Sequence, residues 1–546
     1  MRFLKAYLLS SAATVVAVGT AHAADLPVKK AVPIEYVRVC TAYGAGFFYI
    51  PGTDTCLRIS GRARLDVGYQ PAYSRQSGTN NGDSIGYQAR MRINLDARTQ
   101  TDYGTLRAFV RLDAGSRTGS TAIGPSGSQQ RVGRAYAAIG TDGFGRDQQY
   151  VDADKAFIQF AGLTAGRASS FYDFYAHDFE FYGGTAGSDA YSTNLIAYSA
   201  TLGNGFTATL SAEDPIFRRT PIFSPVNVSP TLNSGSVQNF GVTNQPVPVF
   251  VGTGRFSFID SIERSRLPDF VGVIRLDQAW GSAQLSAATH ELNVGNVSTA
   301  AAQGAGGVVT GIAHTNSVQG WAVQGGLKLN LPFIAPGDGL YLQAAYGNGA
   351  QLYTGYSSYT GSFTQSTQSI QGQKFSQYFS DAVINPFTGQ LQTSTSFTAV
   401  ASYLHYWTPE LRSAFFGSYG EQNFSAAARA GQGAIFALVN PNGTNSFGSN
   451  AVGVPGTRFY QLSQALRDTY QFVAGASIIW SPVKDLDIGV EGFYTQIGLK
   501  SGRAIDQDKS PTAYANVAGI NNGTFAVRTA TQDSVSQFRF RVQREF

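Results

Sequence analysis

Between Leu57 and Tyr69 the chain alternates with a period of two. Leu57, Ile59, Gly61, Ala63, Leu65, Val67 and Tyr69 fall on one parity, and Arg58, Ser60, Arg62, Arg64 and Asp66 on the other. Successive side chains of a strand point to opposite faces, so this block has one apolar and one charged face. The block from Ile85 to Arg98 repeats the pattern, with Ile85, Tyr87, Ala89, Met91, Ile93 and Leu95 against Gln88, Arg90, Arg92, Asn94, Asp96 and Arg98. Leu106 to Asp113 repeats it again: Leu106, Ala108, Val110 and Leu112 stand against Arg107, Arg111 and Asp113, with Phe109 the exception on the polar face. Amphipathic strands in series must find both an apolar environment and a wet one.

Thirteen weaker blocks follow, near 154–160, 163–168, 195–202, 206–213, 269–278, 283–290, 318–329, 339–346, 396–407, 411–422, 469–480, 486–499 and 534–546, making sixteen strands in all. Their connections alternate long and short. The long ones are 70–84, 114–153, 169–194, 214–268, 291–317, 347–395, 423–468 and 500–533, and tight turns such as Thr101-Asp102-Tyr103-Gly104 and Gly203-Asn204-Gly205 separate them. Soluble sandwiches do not sort loop length onto two rims, whereas outer-membrane barrels do. Pro221, Pro225, Pro230, Pro246 and Pro248 argue against regular strands in the fourth long loop.

The expected fold class is therefore all-β: a transmembrane antiparallel β-barrel of 16 strands with short periplasmic turns and long extracellular loops. In hydrocarbon every backbone polar group needs an internal partner, so a sheet must close on itself. Composition agrees, since only 14% of residues are charged against about a quarter in soluble proteins. No apolar run of about 20 residues, as a membrane helix needs, occurs after residue 23. Tyr69, Tyr403, Trp407, Tyr470, Trp480 and Tyr494 lie near strand ends, where an interfacial girdle places aromatics. The last block puts Phe538, Phe540, Val542 and Phe546 on one face, interrupted by Arg544, and Arg539, Arg541, Gln543 and Glu545 on the other. Strands that end in Phe are common in outer-membrane barrels, where Phe546 would serve as an assembly signal.

Residues 1–23 carry Arg2 and Lys5, an apolar stretch from Ala6 to Ala21, and a small-x-small end at Ala21-His22-Ala23. They read as a secretory signal peptide; the alternative is an uncleaved anchor helix. Residues 24–55 then form an N-terminal periplasmic-side segment before the barrel at 56–546. In an exported chain Cys40 and Cys56 favour a disulfide. The alternative, two thiols with chemical roles, lacks a nearby His or a third Cys.

The segments Gly44 to Cys56 (GAGFFYIPGTDTC), Leu57 to Leu65 (LRISGRARL), Ala156 to Arg167 (AFIQFAGLTAGR) and Ser170 to Phe174 (SFYDF), with the Phe-ended strand, resemble the alphaproteobacterial outer-membrane porins. The resemblance implies a sixteen-stranded homotrimeric barrel that passes small hydrophilic solutes by diffusion. It also implies a third loop, about 169–194, folded inward to narrow the pore. Its partners would be outer-membrane lipids, lipopolysaccharide and the barrel assembly machinery, with no nucleic acid. The loops at 214–268 and 347–395 are longer than the resemblance leads one to expect. A small outer face at Gly61, Ala63, Ala89, Ala97 and Ala108 is compatible with subunit packing.

The candidate pore constriction has two sides. Arg58, Arg62, Arg64, Arg90, Arg92, Arg107, Arg111, Arg539 and Arg541 share one inner wall, matched in part by Asp66, Asp96 and Asp113. The loop at 169–194 carries Asp173, Asp178, Glu180 and Asp189 among aromatics, and Gly183, Gly184 and Gly187 permit a tight inward turn. Opposed charges across a water gap set up a transverse field that orients dipolar solutes and filters ions. A solvated register-holding ladder and an ordinary surface loop are the plainer readings. Neutralising Asp173, Asp178 and Glu180 together is expected to shift ion preference toward anions. Neither a metal set, a cofactor motif nor a nucleophile–base pair is expected around His177, His290, His314 and His405, so an enzyme is not expected. The alternative function is a substrate-specific outer-membrane channel or receptor with solute-binding loops.

Overall fold

The structure is a computed structural model. It describes residues 38–69, 85–118, 140–141, 147–189, 192–220, 222, 247–252, 255–259, 265–294, 316–356, 366–367, 374–375, 377–385, 388–430, 456–464, 466–506 and 509–546. The expected signal peptide at 1–23 lies outside them.

Sixteen antiparallel strands form one closed sheet: β1 (Cys56–Tyr69), β2 (Ile85–Thr101), β3 (Gly104–Thr118), β4 (Asp147–Phe160), β5 (Leu163–Ala168), β6 (Thr193–Gly203), β7 (Phe206–Glu213), β8 (Asp269–Gln278), β9 (Gly281–Val294), β10 (Asn316–Asn330), β11 (Gly339–Asn348), β12 (Thr395–Tyr406), β13 (Leu411–Asn423), β14 (Thr469–Val483), β15 (Leu486–Leu499) and β16 (Gln532–Glu545). Each strand pairs with its neighbours in sequence, and β16 closes the cylinder on β1 from Arg62↔Glu545 to Tyr69↔Phe538. Phe546 extends the seam by two backbone hydrogen bonds with Gly61, at 2.9 and 3.0 Å. No sheet edge then faces lipid along this stretch, as a bilayer requires.

The apolar parity faces outward: Ile59, Leu65, Tyr87, Met91, Val151, Ile158, Ile196 and Leu210 are all exposed, while Arg64, Asp66, Asp96, Asp113, Gln284, Gln324 and Arg541 are buried inside. A water-soluble protein would show the reverse. Phe109, the exception in β3, points inward and stacks on Phe157 at 5.2 Å, with the guanidinium groups of Arg107 and Arg111 over its ring at 5.0 and 5.6 Å. An inward ring is tolerated there because cations cover its face.

At the short-turn rim Cys40 and Cys56 are joined by a disulfide. The stretch it closes pairs Phe48 and Tyr49 with Leu57 and Cys56, covering the edge of β1 that β16 does not reach. Arg98 lies over the rings of Phe47 and Tyr43, at 5.0 and 5.7 Å. The expectation that prolines exclude strands from the fourth loop is corrected by a hairpin pairing Val247–Gly252 with Arg255–Ile259, where Pro248 stands opposite Phe258. In an isolated two-stranded ribbon each strand keeps one free edge, so a missing N–H can be accommodated.

Candidate functional site: a charged gap in the lumen

The segment between β5 and β6 leaves the wall and crosses the lumen, held by uncharged polar and acidic side chains on the far strands. The carbonyl of Tyr172 accepts from Gln284, Ser286 and Gln324 of β9 and β10. The Tyr175 amide donates to Gln343 Oε1 of β11 (2.9 Å), and the Ala186 amide to Ser418 Oγ of β13 (2.9 Å). The Glu491 carboxylate of β15 accepts the amides of Phe181 (2.6 Å) and Tyr182 (3.0 Å). Rings seal the same contact: Tyr182 stacks on Phe493 at 4.9 Å and Tyr175 packs on Tyr341 at 4.9 Å. Gly183 takes a positive φ of 67°, which lets the chain turn back after Tyr182.

Between this loop and the wall formed by β1–β4 and β16 lies a water-accessible space of about 710 Å³. Arg62, Arg64, Arg90, Arg92, Arg111 and Arg541 border it on the wall side, and Asp178, Glu180, Phe179, Phe181 and Asp189 on the loop side. The wall is partly neutralised from within. Asp66 sits between Arg64 (2.9 Å) and Arg541 (2.6 Å), and Asp113 between Arg90 and Arg92 (2.7 Å to Arg92). Asp154, which the alternation did not single out, reaches Arg111 at 3.4 Å and Arg92 at 3.7 Å. Arg62 makes no ion pair among the described residues, and its Nε is buried without a hydrogen-bond partner.

The remaining expected residues lie elsewhere. Arg107 shares Asp96 with Arg98, at 2.9 and 2.8 Å, and Arg58 lies against Gly46 at the short-turn rim. Arg539 is buried over the Tyr182 ring at 4.4 Å. Asp173 pairs with Arg218 at 2.7 Å and points away from the gap. Glu180 borders the gap, but its carboxylate is buried and accepts from Tyr175 Oη (2.9 Å), Thr185 Oγ1 (2.5 Å) and the Thr185 amide (3.1 Å). Burial opposes its ionisation, yet His177 and Thr185 outweigh it and hold the carboxyl below its ordinary value. Asp178 does face the gap, tethered by the Tyr341 hydroxyl at 2.9 Å.

Sequence reasoning missed Arg218, Glu491 and the anchors Gln284, Gln324, Gln343 and Ser418. The signal was present: on the far strands the inward parity is polar without being arginine. The long sixth loop also enters the barrel. Its short helix α1 (Gln351–Thr354) is buried, and a Cβ on Gly355 would meet the Gly187 backbone at 2.3 Å, so the two segments touch through bare main chain. His290 is buried against Asp269 (2.9 Å), and His405 bonds Asp338 (2.7 Å) beside Tyr403.

A closed cylinder with an apolar exterior and a charged, loop-narrowed interior is a transmembrane barrel with a constricted lumen. Residues 25–536 match the porin subfamily, and the chain belongs to the porin family. Porin Omp2b of Brucella suis is 34% identical over 295 residues, 51% of this chain and 64% of that protein. Porin Omp2b of Brucella abortus (strain 2308) is 36% identical over 221 residues, 38% of this chain and 54% of that protein. The match thus spans less than two-thirds of the length of these curated relatives. Among solved structures, the outer membrane channel DcaP of Acinetobacter baumannii aligns with 91% of this chain and 99% of its own at 13% identity and a TM-score of 0.48. The anion-selective porin from Comamonas acidovorans aligns with 90% and 100% at 11% identity and a TM-score of 0.38. Family and fold together place the chain in the outer membrane.

Proposed function

We propose that this protein is an outer-membrane porin, a water-filled channel through which small hydrophilic solutes and ions diffuse passively. One observation carries the reading: a gap of about 710 Å³ bordered on its wall side by groups that include Arg62, Arg64, Arg90, Arg92, Arg111 and Arg541, and on its loop side by Asp178, Glu180 and Asp189. Charge rings at a constriction set which ions pass, and opposed charges align dipolar solutes. The short-turn rim, with the disulfide-closed segment, faces the periplasm, and the long loops face outward. Residues 1–23 are the export signal and are removed. The chain works as a homotrimer in contact with lipopolysaccharide, is inserted by the barrel assembly machinery through its Phe546-ended strand, and uses no cofactor and catalyses no reaction. A substrate-specific channel is the second reading; entry of the sixth loop into the lumen favours it, since a narrower path offers more contact to one solute. Purified protein added to a planar bilayer should give stepwise conductance, with a reversal potential in a salt gradient set by the gap. A bilayer that stays silent refutes the channel, and saturable flux blocked by one solute selects the second reading.

A further inference from the structure

We propose that Arg218 is a positioning residue of the constriction. Its guanidinium holds the inward loop at the distance from the arginine wall on which ion preference depends, although it borders no part of the gap. The inference rests on reading that gap as the ion path.

Three stretches of chain meet on this one group. From the short 3-10 turn Pro215–Arg218 at the start of the fourth loop, Nη2 donates to Asp173 Oδ1 at 2.7 Å and Nη1 to Ser188 Oγ at 2.8 Å, both in the inward loop. Nη1 also donates to the Leu352 carbonyl of α1 at 3.2 Å. The guanidinium carbon lies 4.4 Å from the centre of the Tyr353 ring and 5.7 Å from that of Tyr172. Ser188 in turn donates to Asp173 at 2.5 Å, so the first and last parts of the inward loop are tied to each other through the same pair. The arginine side chain is only 3% exposed, and Asp173 holds the group above its ordinary pKa despite burial.

Such a cluster is close to all-or-none. A buried guanidinium is tolerated only while its carboxylate and its other acceptors stay in place, so a small displacement of the inward loop strands a charge in a dry site. The scaffold behind it is fixed as well. Asp381 accepts from the amides of Thr220 (3.1 Å) and Gln351 (2.5 Å), tying the fourth loop to the sixth. Tyr353 donates to Asp269 of β8 at 2.7 Å, which ties α1 to the wall. The described parts of the two long loops, 214–220 with 351–354 and Asp381, thus form a buttress behind the constriction, with Arg218 at their junction.

The test is single-channel recording of Arg218→Gln, Asp173→Asn and Gly355→Ala beside Arg62→Gln. Arg218→Gln and Asp173→Asn should leave a heat-resistant barrel but make brief closures roughly a hundredfold more frequent, as loss of a buried pair implies. The cation-to-anion permeability ratio should then vary from event to event, and the double variant should be no worse than either single one. Arg218→Lys keeps the charge without the fork and should restore only part of the quiet current. Gly355→Ala pushes on Gly187 without touching the ion pair and should produce the same closures, which covers the case in which Arg218→Gln does not assemble. Native closure frequency and a fixed permeability ratio in the Asp173 and Gly355 variants overturn the proposal. If Arg62→Gln alone leaves the reversal potential where it was, the gap is not the ion path, and the reading beneath the proposal fails instead.

Discussion

Arg62 is the sharpest place to perturb the gap, because removing its charge leaves no carboxylate behind without a cation. Among the described residues it makes no ion pair, whereas Arg64, Arg90, Arg92, Arg111 and Arg541 each neutralise an aspartate. An ion passing about 5 Å from a unit charge in water feels roughly 0.8 kcal/mol. With a screening length of about 10 Å at 0.1 M salt, that falls to about 0.5 kcal/mol. Arg62→Gln then raises the cation concentration in the gap by a factor of about two and lowers the anion concentration by the same factor, so the permeability ratio moves about fivefold toward cations. In 1 M salt the screening length is about 3 Å and the change shrinks to less than about twofold. Reversal potentials of reconstituted channels under a fixed salt gradient, taken at both concentrations, read these numbers directly. A shift toward anions, no shift, or a shift that ignores salt concentration refutes the argument that Arg62 faces the permeating ions.

Three other outcomes follow from the same contacts. Cys40→Ser with Cys56→Ser removes a cross-link between residues sixteen apart, worth about 3 kcal/mol on the loop-entropy account; limited proteolysis should then cut within 41–55 while the barrel stays heat-resistant, and an uncut segment contradicts this. Gly61→Val places a Cβ 2.2 Å from the Arg92 carbonyl and 2.8 Å from the Phe546 ring, so the β1–β16 seam should fail to close and the fraction of assembled barrel on a gel should drop severalfold. Acid should loosen the inward loop through Glu180, whose folded pKa is depressed: its contribution is complete above the ordinary glutamate value of about 4.3 and is lost as the pH falls below that, so closures should rise further between pH 5 and pH 3. Glu180→Gln should reduce that rise between pH 5 and pH 3, and an unchanged rise contradicts the role given to Glu180.

The sixteen strands were readable because lipid and water impose the alternation directly, residue by residue, without reference to any partner. Strand ends were less so. β4 begins at Asp147 rather than near residue 154, and β9 runs from Gly281 to Val294 rather than 283–290. At the end of β9 the apolar residues change face: Leu292 and Val294 are buried against Ile222, Ile384 and Leu391, so the hydrogen-bonded ladder continues after the outward alternation has stopped. The constriction acids were legible as residue types and not as roles. Asp173, Asp178, Glu180 and Asp189 look equivalent in the sequence, yet Asp173 is taken by Arg218 and Glu180 by Tyr175, His177 and Thr185. Arg218 lies in another loop and Thr185 follows the turn at Gly183, while Tyr175 and His177 reach Glu180 through an irregular backbone that no periodic pattern specifies.

This difference changes what a charge count can say about ion preference. Nine inward arginines suggest a strongly anion-attracting pore, but Asp66, Asp113 and Asp154 are each shared by two of them. Removing one partner of such a trio leaves the carboxylate satisfied by the other, so the fold tolerates the loss while the gap still loses a full positive charge. Removing the aspartate instead strands two guanidinium groups side by side and costs far more structure. The field in the gap is therefore set by the balance of all the charges that border it: the arginines and Lys155 against Asp113, Asp152, Asp154 and Glu545 on the wall, the Arg412–Asp487 pair beside them, and Asp178, Glu180 and Asp189 on the loop. Its direction follows from where the charges are held, and its strength from how firmly the inward loop keeps its carboxylates opposite that wall.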